Sequence, residues 1–459
     1  MQYIKIYNLG PVKEIELDVK RTGLIIGEQA LGKSTIAKAI YFSRGIKNIV
    51  MGYFFQIVDM SVPQEEATME ALNHQVELRL IQEFQALFGY FPQTQHNLCI
   101  QYQFSNSAEV TFRVSERAGK SEVCVLFSDD LKVRLSQVLS YAVKNCVQED
   151  KEGSVEELRR LRRELRSAIR GRTNLSFDDM MDTYYIPAGR SMVTLLSNNR
   201  SVLQDSFDSI TRRYVGLIES IQHFYQSGLG MVGELSKAKG EDLFDRERVV
   251  SWIRRMLKAD YFYQPNQEYL ILEENGTSIP VPFASSGQQE ILWVLNLLYL
   301  MMLRHERAFI ILEEPEVHLY PSLQDELMRF LLFFQNCTGS VVLLTTHSPY
   351  VLTSINSFYC AGGLIEKYMT NPKAEAEWRE KVVALLEYDS TLLPSQFYAI
   401  KLRPDGSTCN LILDDIKEIE TEQIDEISDK INLRYERLYE MELTESIGSV
   451  ADNEEKTEL

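Results

Sequence analysis

The run Gly27-Glu28-Gln29-Ala30-Leu31-Gly32-Lys33-Ser34-Thr35 constrains this chain more than any other segment. It fits G-x-x-x-x-G-K-[ST] and stands between an apolar run, Gly23 to Ile26, and a helix expected from about Lys33 to Ser43. In that context the glycines let backbone N–H groups wrap phosphate oxygens at a helix start, where free amides and the helix dipole favour an anion. Lys33 would reach the terminal phosphates and the Ser34 hydroxyl would ligate Mg²⁺. Upstream, Tyr3 to Tyr7 and Val12 to Val19 flank a Gly10-Pro11 turn and read as strands. Arg44 falls in the last helical turn and Gly45 is placed as the C-cap. The expectation is an α/β fold.

Three later segments carry compatible chemistry. Phe309 to Glu314 is an apolar strand ending in two carboxylates, Glu313 and Glu314. One such acid suits the metal side of a phosphate site and the other suits orienting or deprotonating water. Glu316 stays open between a ligand and a loop acid. A second buried run, Ser340 to Thr345, leads into His347, placed where it would contact a terminal phosphate. Ser285-Ser286-Gly287-Gln288-Gln289-Glu290 opens a helix expected from Gly287 to Arg304, and reads either as an anion site or as an ordinary N-cap with Glu290 as its partner.

Between these ends the chain changes character. Residues 46–264 read as a mainly helical insertion with strands near Leu98 to Phe104, Glu109 to Val114, Glu122 to Phe127 and Tyr184 to Pro187. Within it, Ser154 and Glu157 form a capping-box pattern, and Leu158, Leu161, Leu165 and Ala168/Ile169 make an apolar stripe. Arg159, Arg160, Arg162, Arg163, Arg166, Arg170 and Arg172 surround that stripe, with Glu164 as the one acid from 158 to 172. A face of that kind can track nucleic-acid phosphates, dock an acidic partner, or simply be solvated. Tyr269 to Leu272 and Ile279 to Val281 flank Asn275-Gly276 as a hairpin. The expected division is a split head of 1–45 and 265–410, the insertion 46–264, and an acidic helix with a disordered tail over 411–459.

Composition narrows the classes. With 459 residues, 45% hydrophobic and 25% charged, the chain is neither disordered nor fibrous. Its longest apolar stretch, Ile291 to Leu303, is shorter than the roughly 18 residues a membrane span needs. The N-terminus opens as a strand rather than a signal peptide, so a cytoplasmic location is expected. Six scattered cysteines without a C-x-x-C pair argue against a zinc ribbon or disulfide framework. The net charge of -18 opposes a globally nucleic-acid-binding field. Much of it is local, because residues 410–459 hold 16 acids against 5 bases.

Taken together, the four motifs resemble the ABC-type P-loop ATPases, in the group of SMC, RecF and OLD-like heads. Gly27 to Thr35 resembles Walker A, Ser285 to Gln289 the signature, Phe309 to Glu314 Walker B, and His347 the switch histidine. The run Glu313 to Pro321 is similar to the OLD-like branch, and Tyr185 to Ser191 to a strand often seen in these ATPases. The resemblance covers roughly residues 1–45 and 265–365. It implies an ABC-type P-loop NTPase head with a mixed, largely parallel sheet, ATP and Mg²⁺ as cofactors, and slow, regulatory ATP hydrolysis. By the same resemblance Gly27, Gln29, Gly32, Lys33, Ser34 and Thr35 bind nucleotide, Ser34 and Glu313 hold the metal, and Glu314 and His347 are catalytic. Ser286, Gly287 and Gln288 would grip a nucleotide held by a second copy, which implies a homodimer with composite sites. Glu313 stands where Asp is commoner, and Gln288 where transporters carry Gly. Gln56, Gln101 and Gln103 remain candidates for the Q-loop glutamine.

The resemblance also bears on the chain's role. OLD-like nucleases carry a Toprim domain with an acidic constellation, whereas Asp414-Asp415 has no matching upstream Glu motif. His74, His96, His223, His305 and His318 stand apart, which leaves no HNH cluster. The expectation is an ATPase of a bacterial anti-phage system of Septu, PARIS or retron type, controlling a separate nuclease or toxin. The alternative is a RecF- or SMC-type DNA repair ATPase, with DNA or RNA meeting Arg159 to Arg172.

Overall fold

Burial alternates with exposure along Gln2–Leu9 (β1) and Val12–Val19 (β2), as expected of an antiparallel pair with one wet face. In contrast Thr22–Ile26 (β3) is buried at every position. The computed structural model describes residues 2–117, 120–146, 155–196, 207–235, 244–265, 267–413, 418–420 and 430–437. Lys33–Val58 (α1) follows β3 and does not stop at Gly45. Ile46, Val50, Tyr53, Phe54 and Ile57 continue its buried stripe, and their burial outweighs the roughly 1 kcal/mol that a mid-helix glycine costs.

Met69–Phe88 (α2) packs on α1, and Cys99–Ser105 (β4), Ala108–Arg117 (β5) and Lys120–Phe127 (β6) then extend the first hairpin into one antiparallel sheet, β2-β1-β4-β5-β6. Strands of residues 46–264 therefore pair with strands of residues 1–45. Asp129–Asn145 (α3) and Val155–Ser176 (α4) cover this lobe. Ser154 and the segment from Ser446 to Leu459 lie outside the described residues, while 430–437 are helical. In α4, Leu165 and Ile169 are buried, whereas Leu161 is 42% exposed and leaves the expected stripe.

The chain next enters the central sheet through Asp182–Ile186 (β7), followed by the short helix Arg190–Leu195 (α5). Ser209–Ile221 (α6) and Arg246–Leu257 (α7) lead to a three-stranded meander, Ala259–Gln264 (β8), Gln267–Leu272 (β9) and Ser278–Pro280 (β10). Ser286–Leu303 (α8), Ala308–Glu313 (β11), Pro321–Thr338 (α9), Val341–Thr346 (β12) and Pro349–Glu366 (α10) alternate as βα units. Pro372–Leu386 (α11), Phe397–Leu402 (β13) and Thr408–Asn410 (β14) complete the sheet. Its order is β14-β13-β3-β12-β11-β7, with every pairing parallel except β13 with β14. Side chains of one strand divide between two cores, Leu24 and Ile26 packing on one face and Ile25 on the other. The fold is α/β with a largely parallel sheet.

One buried ionic knot ties the lobes together. Arg44 donates twice to the Asp179 carboxylate at 3.0 and 2.9 Å, and Lys47 donates to it at 3.1 Å, all three side chains being sealed from solvent. Burial alone would raise the Asp179 carboxyl, and the two cations overturn that and hold it below the ordinary value.

Candidate functional site

Parallel strands bring their carboxyl ends to one edge, the usual place for ligands in such sheets. Here β3 delivers the Gly27–Thr35 loop, β12 delivers His347, β11 delivers Glu313 and Glu314, and β7 delivers Pro187 to Arg190. Gly32 has φ 108°, and a Cβ there would sit 2.9 Å from Val12 Cγ2 and 3.0 Å from Pro11 Cγ, so neither backbone nor space admits a side chain. Lys33 folds back on the loop, its Nζ donating to Gly27 O and Glu28 O at 2.8 Å each. Burial holds its ammonium below the ordinary lysine value, against the opposing charges of Glu314, Glu316 and Glu313.

The same Nζ donates to His347 Nδ1 at 3.2 Å, and His347 Nε2 lies 2.7 Å from Glu314 Oε1. Because Lys33 is a donor, the ring proton belongs on Nε2 and is donated to the carboxylate. Glu316, left open by the sequence, accepts from the His347 backbone N at 2.6 Å and from Thr346 Oγ1 at 2.8 Å. It fixes the loop that carries the histidine. Glu314 has φ 42°, a turn that separates its side chain from the line of β11. Glu313 remains on the strand, buried, with Oε2 accepting from Ala188 N at 3.3 Å. Its Oε1 is buried and, apart from an interaction of the carboxylate with the Tyr185 phenol, makes no hydrogen bond among the described residues. Tyr185, whose phenol is pushed well above its ordinary value by burial and then by the Glu313 carboxylate, stays protonated nearby.

A 290 Å³ pocket lies over this edge, lined by Pro11, Gln29, Ala30, Gly32, Lys33, Ser34, Thr35, Glu314 and His347. Amide donors, one ammonium and an exposed Ser34 hydroxyl on one side face a carboxylate and imidazole on the other. That array can hold a polyphosphate and set a water against its end. The donor set fits Mg²⁺, which takes one or two protein oxygens and completes its shell with phosphate and water. The buried Glu313 Oε1, short of well-formed hydrogen bonds, is of the type that a hydrated cation would satisfy. Among the described residues no cluster of three His, Cys, Asp or Glu could hold a metal by itself.

Ser286, Gly287 and Gln288 do not line that pocket. They form the first turn of α8, where Ser285 is the N-cap, accepting from Gln288 N at 3.3 Å, while Ser285 N donates to Gln288 Oε1 at 3.0 Å. The capping partner is therefore Gln288, three residues on, and not Glu290. Gln288 also donates to Leu257 O at 2.7 Å, which leaves its backbone rather than its side chain for any ligand. Gly287 stands against the loop after β11, where a Cβ would lie 3.1 Å from His318 O.

Glu290 is instead fully buried, in an ion pair with Arg190 at 3.2 Å. Sequence reasoning gives neither residue this role. A charged side chain at the head of the apolar run of α8 is the available signal. Of the glutamine candidates, Gln56 lies 23 residues beyond Lys33 on α1, roughly 35 Å away by helical rise. Gln101 and Gln103 pair with Lys5 and Tyr3, toward the open end of the hairpin and away from the Pro11 turn. Gln95, outside that set, accepts from Gly10 N at 3.2 Å beside the turn.

The arginine helix makes a second concavity of 490 Å³, lined by Asp59, Glu156, Arg159, Arg162, Arg163 and Arg166. Arg166 is ion-paired with Asp59, and Arg160 with Glu164 at 2.9 Å. Arg172 lies over the Tyr141 ring at 3.9 Å. Among the described residues no helix is long and apolar enough to cross a membrane.

Solved structures with some likeness include an SMC head bound to the C-winged helix domain of ScpA, with TM-score 0.37 and 12% identity, covering 90% of this chain and 98% of that one. Another is the SMC head domain from Thermotoga maritima, with TM-score 0.34 and 11% identity over 77% and 90% of the two chains. A third is an SMC head with an extended coiled coil, bound to a ScpA C-terminal domain derived from Pyrococcus furiosus, with TM-score 0.33, 12% identity and 94% and 100% coverage. No curated protein matches the sequence. Residues 1–352 match the family model described as an AAA ATPase domain, a span holding all of the site residues above. The chain is thus a member of the AAA ATPase domain family, a P-loop, nucleotide-binding group.

Proposed function

We propose that this protein binds and hydrolyses Mg-ATP as a homodimer with two composite sites, and that its nucleotide state governs a separate effector. The observation that carries the reading is the hydrogen-bonded line from Lys33 through His347 to Glu314, in a pocket that the Ser286 turn does not line. Lys33 and the amides of residues 27–35 hold the phosphates, with Gln29 and Thr35 at the pocket wall. Ser34 and Glu313 hold Mg²⁺, which when bound neutralises the charge on the phosphates. Glu314 orients the attacking water and His347 meets the terminal phosphate. Ser286, Gly287 and the Gln288 backbone come from the second copy.

Exposed aromatics close in sequence to the Ser286 turn, the β11 loop and His347 support a docking face. Phe283 is 80% exposed just before the capping turn, Tyr320 78% exposed just after the β11 loop, and Tyr350 55% exposed just after His347. Large rings left in water beside a polar site are the usual anchors of an interface. A Lys33→Ala chain mixed with a Ser286→Arg chain should regain about one working site, and equal inactivity of the mixture would argue against composite sites.

The effector reading is supported by resemblance to stand-alone ATPases of Septu, PARIS and retron defence systems. On that reading the protein belongs to a bacterial anti-phage complex in the cytoplasm and restrains a nuclease or toxin. Purification of the tagged protein from its native host tests this. A stoichiometric nuclease, toxin or noncoding RNA is expected. A second reading, a DNA repair ATPase acting directly on DNA, is favoured by the four arginines of the 490 Å³ concavity. It requires duplex affinity that falls steeply with salt. A slope unchanged by Arg159→Glu with Arg163→Glu would remove it.

A further inference from the structure

We propose that Arg190 is a positioning residue that couples the two composite sites, relaying engagement of the Ser286 turn to the Glu313–Glu314 pair of the same protomer. The inference rests on the dimer reading above. Its basis is the set of atoms that one buried guanidinium holds. Nη1 donates to Glu313 O at 2.6 Å and to Pro187 O at 2.9 Å, and Nη2 donates to Glu314 O at 3.0 Å. Nε donates to Glu290 O at 3.3 Å and pairs with the Glu290 carboxylate at 3.2 Å.

Apart from Pro187 O, the acceptors belong to two parts of the site. Glu313 and Glu314 carry the acids of the pocket, and Glu290 lies one turn after Ser286 on α8. Glu290 Oε1 also accepts from Ser191 N at 3.1 Å and lies 3.6 Å from His318 Nδ1, on the loop that continues from Glu314. Thr194 Oγ1 adds a bond to Gln289 O at 2.9 Å. The first turns of α8 are therefore bolted to α5, and α5 to the backbone of the acidic pair. The planar, forked guanidinium suits this task because its donors point in fixed directions, which a lysine cannot reproduce.

A nucleotide gripped by Ser286 and Gly287 belongs to the partner's pocket, while Glu314 serves the protomer's own. Any shift of α8 on gripping is passed through Glu290 and Arg190 to the carbonyls that set the Glu314 turn. A displacement of about 1 Å at such a group changes rate by roughly 10²-fold, so the two sites report to one another. The same contacts also satisfy buried carbonyls, and so contribute to stability; the relay is distinguished by rate and cooperativity changing where binding and dimerisation do not.

The test uses Arg190→Lys, Glu290→Gln and the double variant, with ATP hydrolysis followed against ATP concentration. Light scattering reports dimerisation, a fluorescent ATP analogue reports binding, and Tm reports folding. Wild type is expected to dimerise with ATP and to hydrolyse it with a Hill coefficient above 1. Arg190→Lys should lose about 10²-fold in kcat and its cooperativity, with analogue binding and dimerisation little changed when measured well below its lowered Tm. The double variant should lose no more than Arg190→Lys alone, because the two side chains act as one unit. Wild-type kcat and cooperativity in Arg190→Lys would overturn the coupling, as would a rate loss that merely follows a fall in Tm and binding. A wild type that stays monomeric with ATP would overturn the dimer reading itself, and the relay with it.

Discussion

His347 and Glu314 arrive from different strands, β12 and β11, yet their side chains meet at 2.7 Å, and the far nitrogen of the same ring accepts from Lys33. The imidazole therefore lies between Lys33 and Glu314, the residues that the proposed function gives to phosphate and to water. Charge placed on Lys33's side of the ring is felt by Glu314 through one hydrogen-bonded relay.

Removal of either member of that pair should separate chemistry from binding. Glu314→Gln keeps size and hydrogen bonding but cannot accept a proton, so kcat should fall by about 10²- to 10⁴-fold. ATP should still bind, since residues 27–35, Lys33 among them, are untouched. His347→Ala should lower kcat in the same direction. Single-turnover hydrolysis beside equilibrium binding of the fluorescent analogue checks both variants, and loss of binding equal to loss of rate would contradict the assignment.

The same pocket predicts a pH dependence. Burial holds the Lys33 ammonium below its ordinary value of 10.5, and phosphate favours the charged form. A bound triphosphate therefore raises this pKa relative to the free protein. Affinity is complete below the free-state value and is lost as pH rises through it, earlier than an ordinary lysine would allow. Lys33→Arg, which stays charged throughout, should bind with an affinity that no longer falls in this alkaline window. Titration of analogue binding upward from neutral pH reads the difference.

Much of this site is legible locally, and the rest is not local. Val12 to Val19 can be bounded from sequence because a turn precedes it and apolar residues alternate with acids from Ile15 to Val19. The phosphate loop is legible because its chemistry needs those residues in that order. Phe397–Leu402, the strand that flanks β3, carries no motif to mark it, although it completes the bed on which the loop sits. Arg190 and Glu290 are 100 residues apart, and no window of sequence shows one to the other. At Ser285 a local reading that pairs the cap with Glu290 misses by two residues, because the N3 position belongs to Gln288.

The Arg44, Lys47 and Asp179 knot should be among the costliest positions to disturb. Asp179→Ala leaves two buried cations unpaired, and breaking a buried pair in this way costs about 3–5 kcal/mol. Because the Asp179 carboxyl lies below its ordinary 3.8, its contribution is fully present above the unfolded value and is lost as pH falls through the folded one. Denaturant unfolding should thus find this contribution constant from about pH 5 to 8 and shrinking only below about pH 4. Asp179→Ala should unfold at lower denaturant throughout the neutral range.

Two glycines of the same helix, Gly32 at its N-cap and Gly45 in its middle, should respond in opposite ways to alanine. Gly45 lies inside α1 with nothing within 4 Å of the place an added methyl would take, so Gly45→Ala adds helix propensity without a clash. A gain of about 0.5–1 kcal/mol is expected. Gly32 has φ 108°, and its methyl would press on Val12 and Pro11, which back and line the phosphate pocket. Gly32→Ala must therefore distort the loop or displace the β1–β2 turn, and nucleotide affinity should drop by more than about tenfold, since a loss of about 1.4 kcal/mol already reaches that factor. Thermal unfolding and analogue binding measured on both variants separate the two effects. Gly45→Ala should raise Tm with wild-type binding, whereas Gly32→Ala should lose binding, with any fall in Tm too small to account for it.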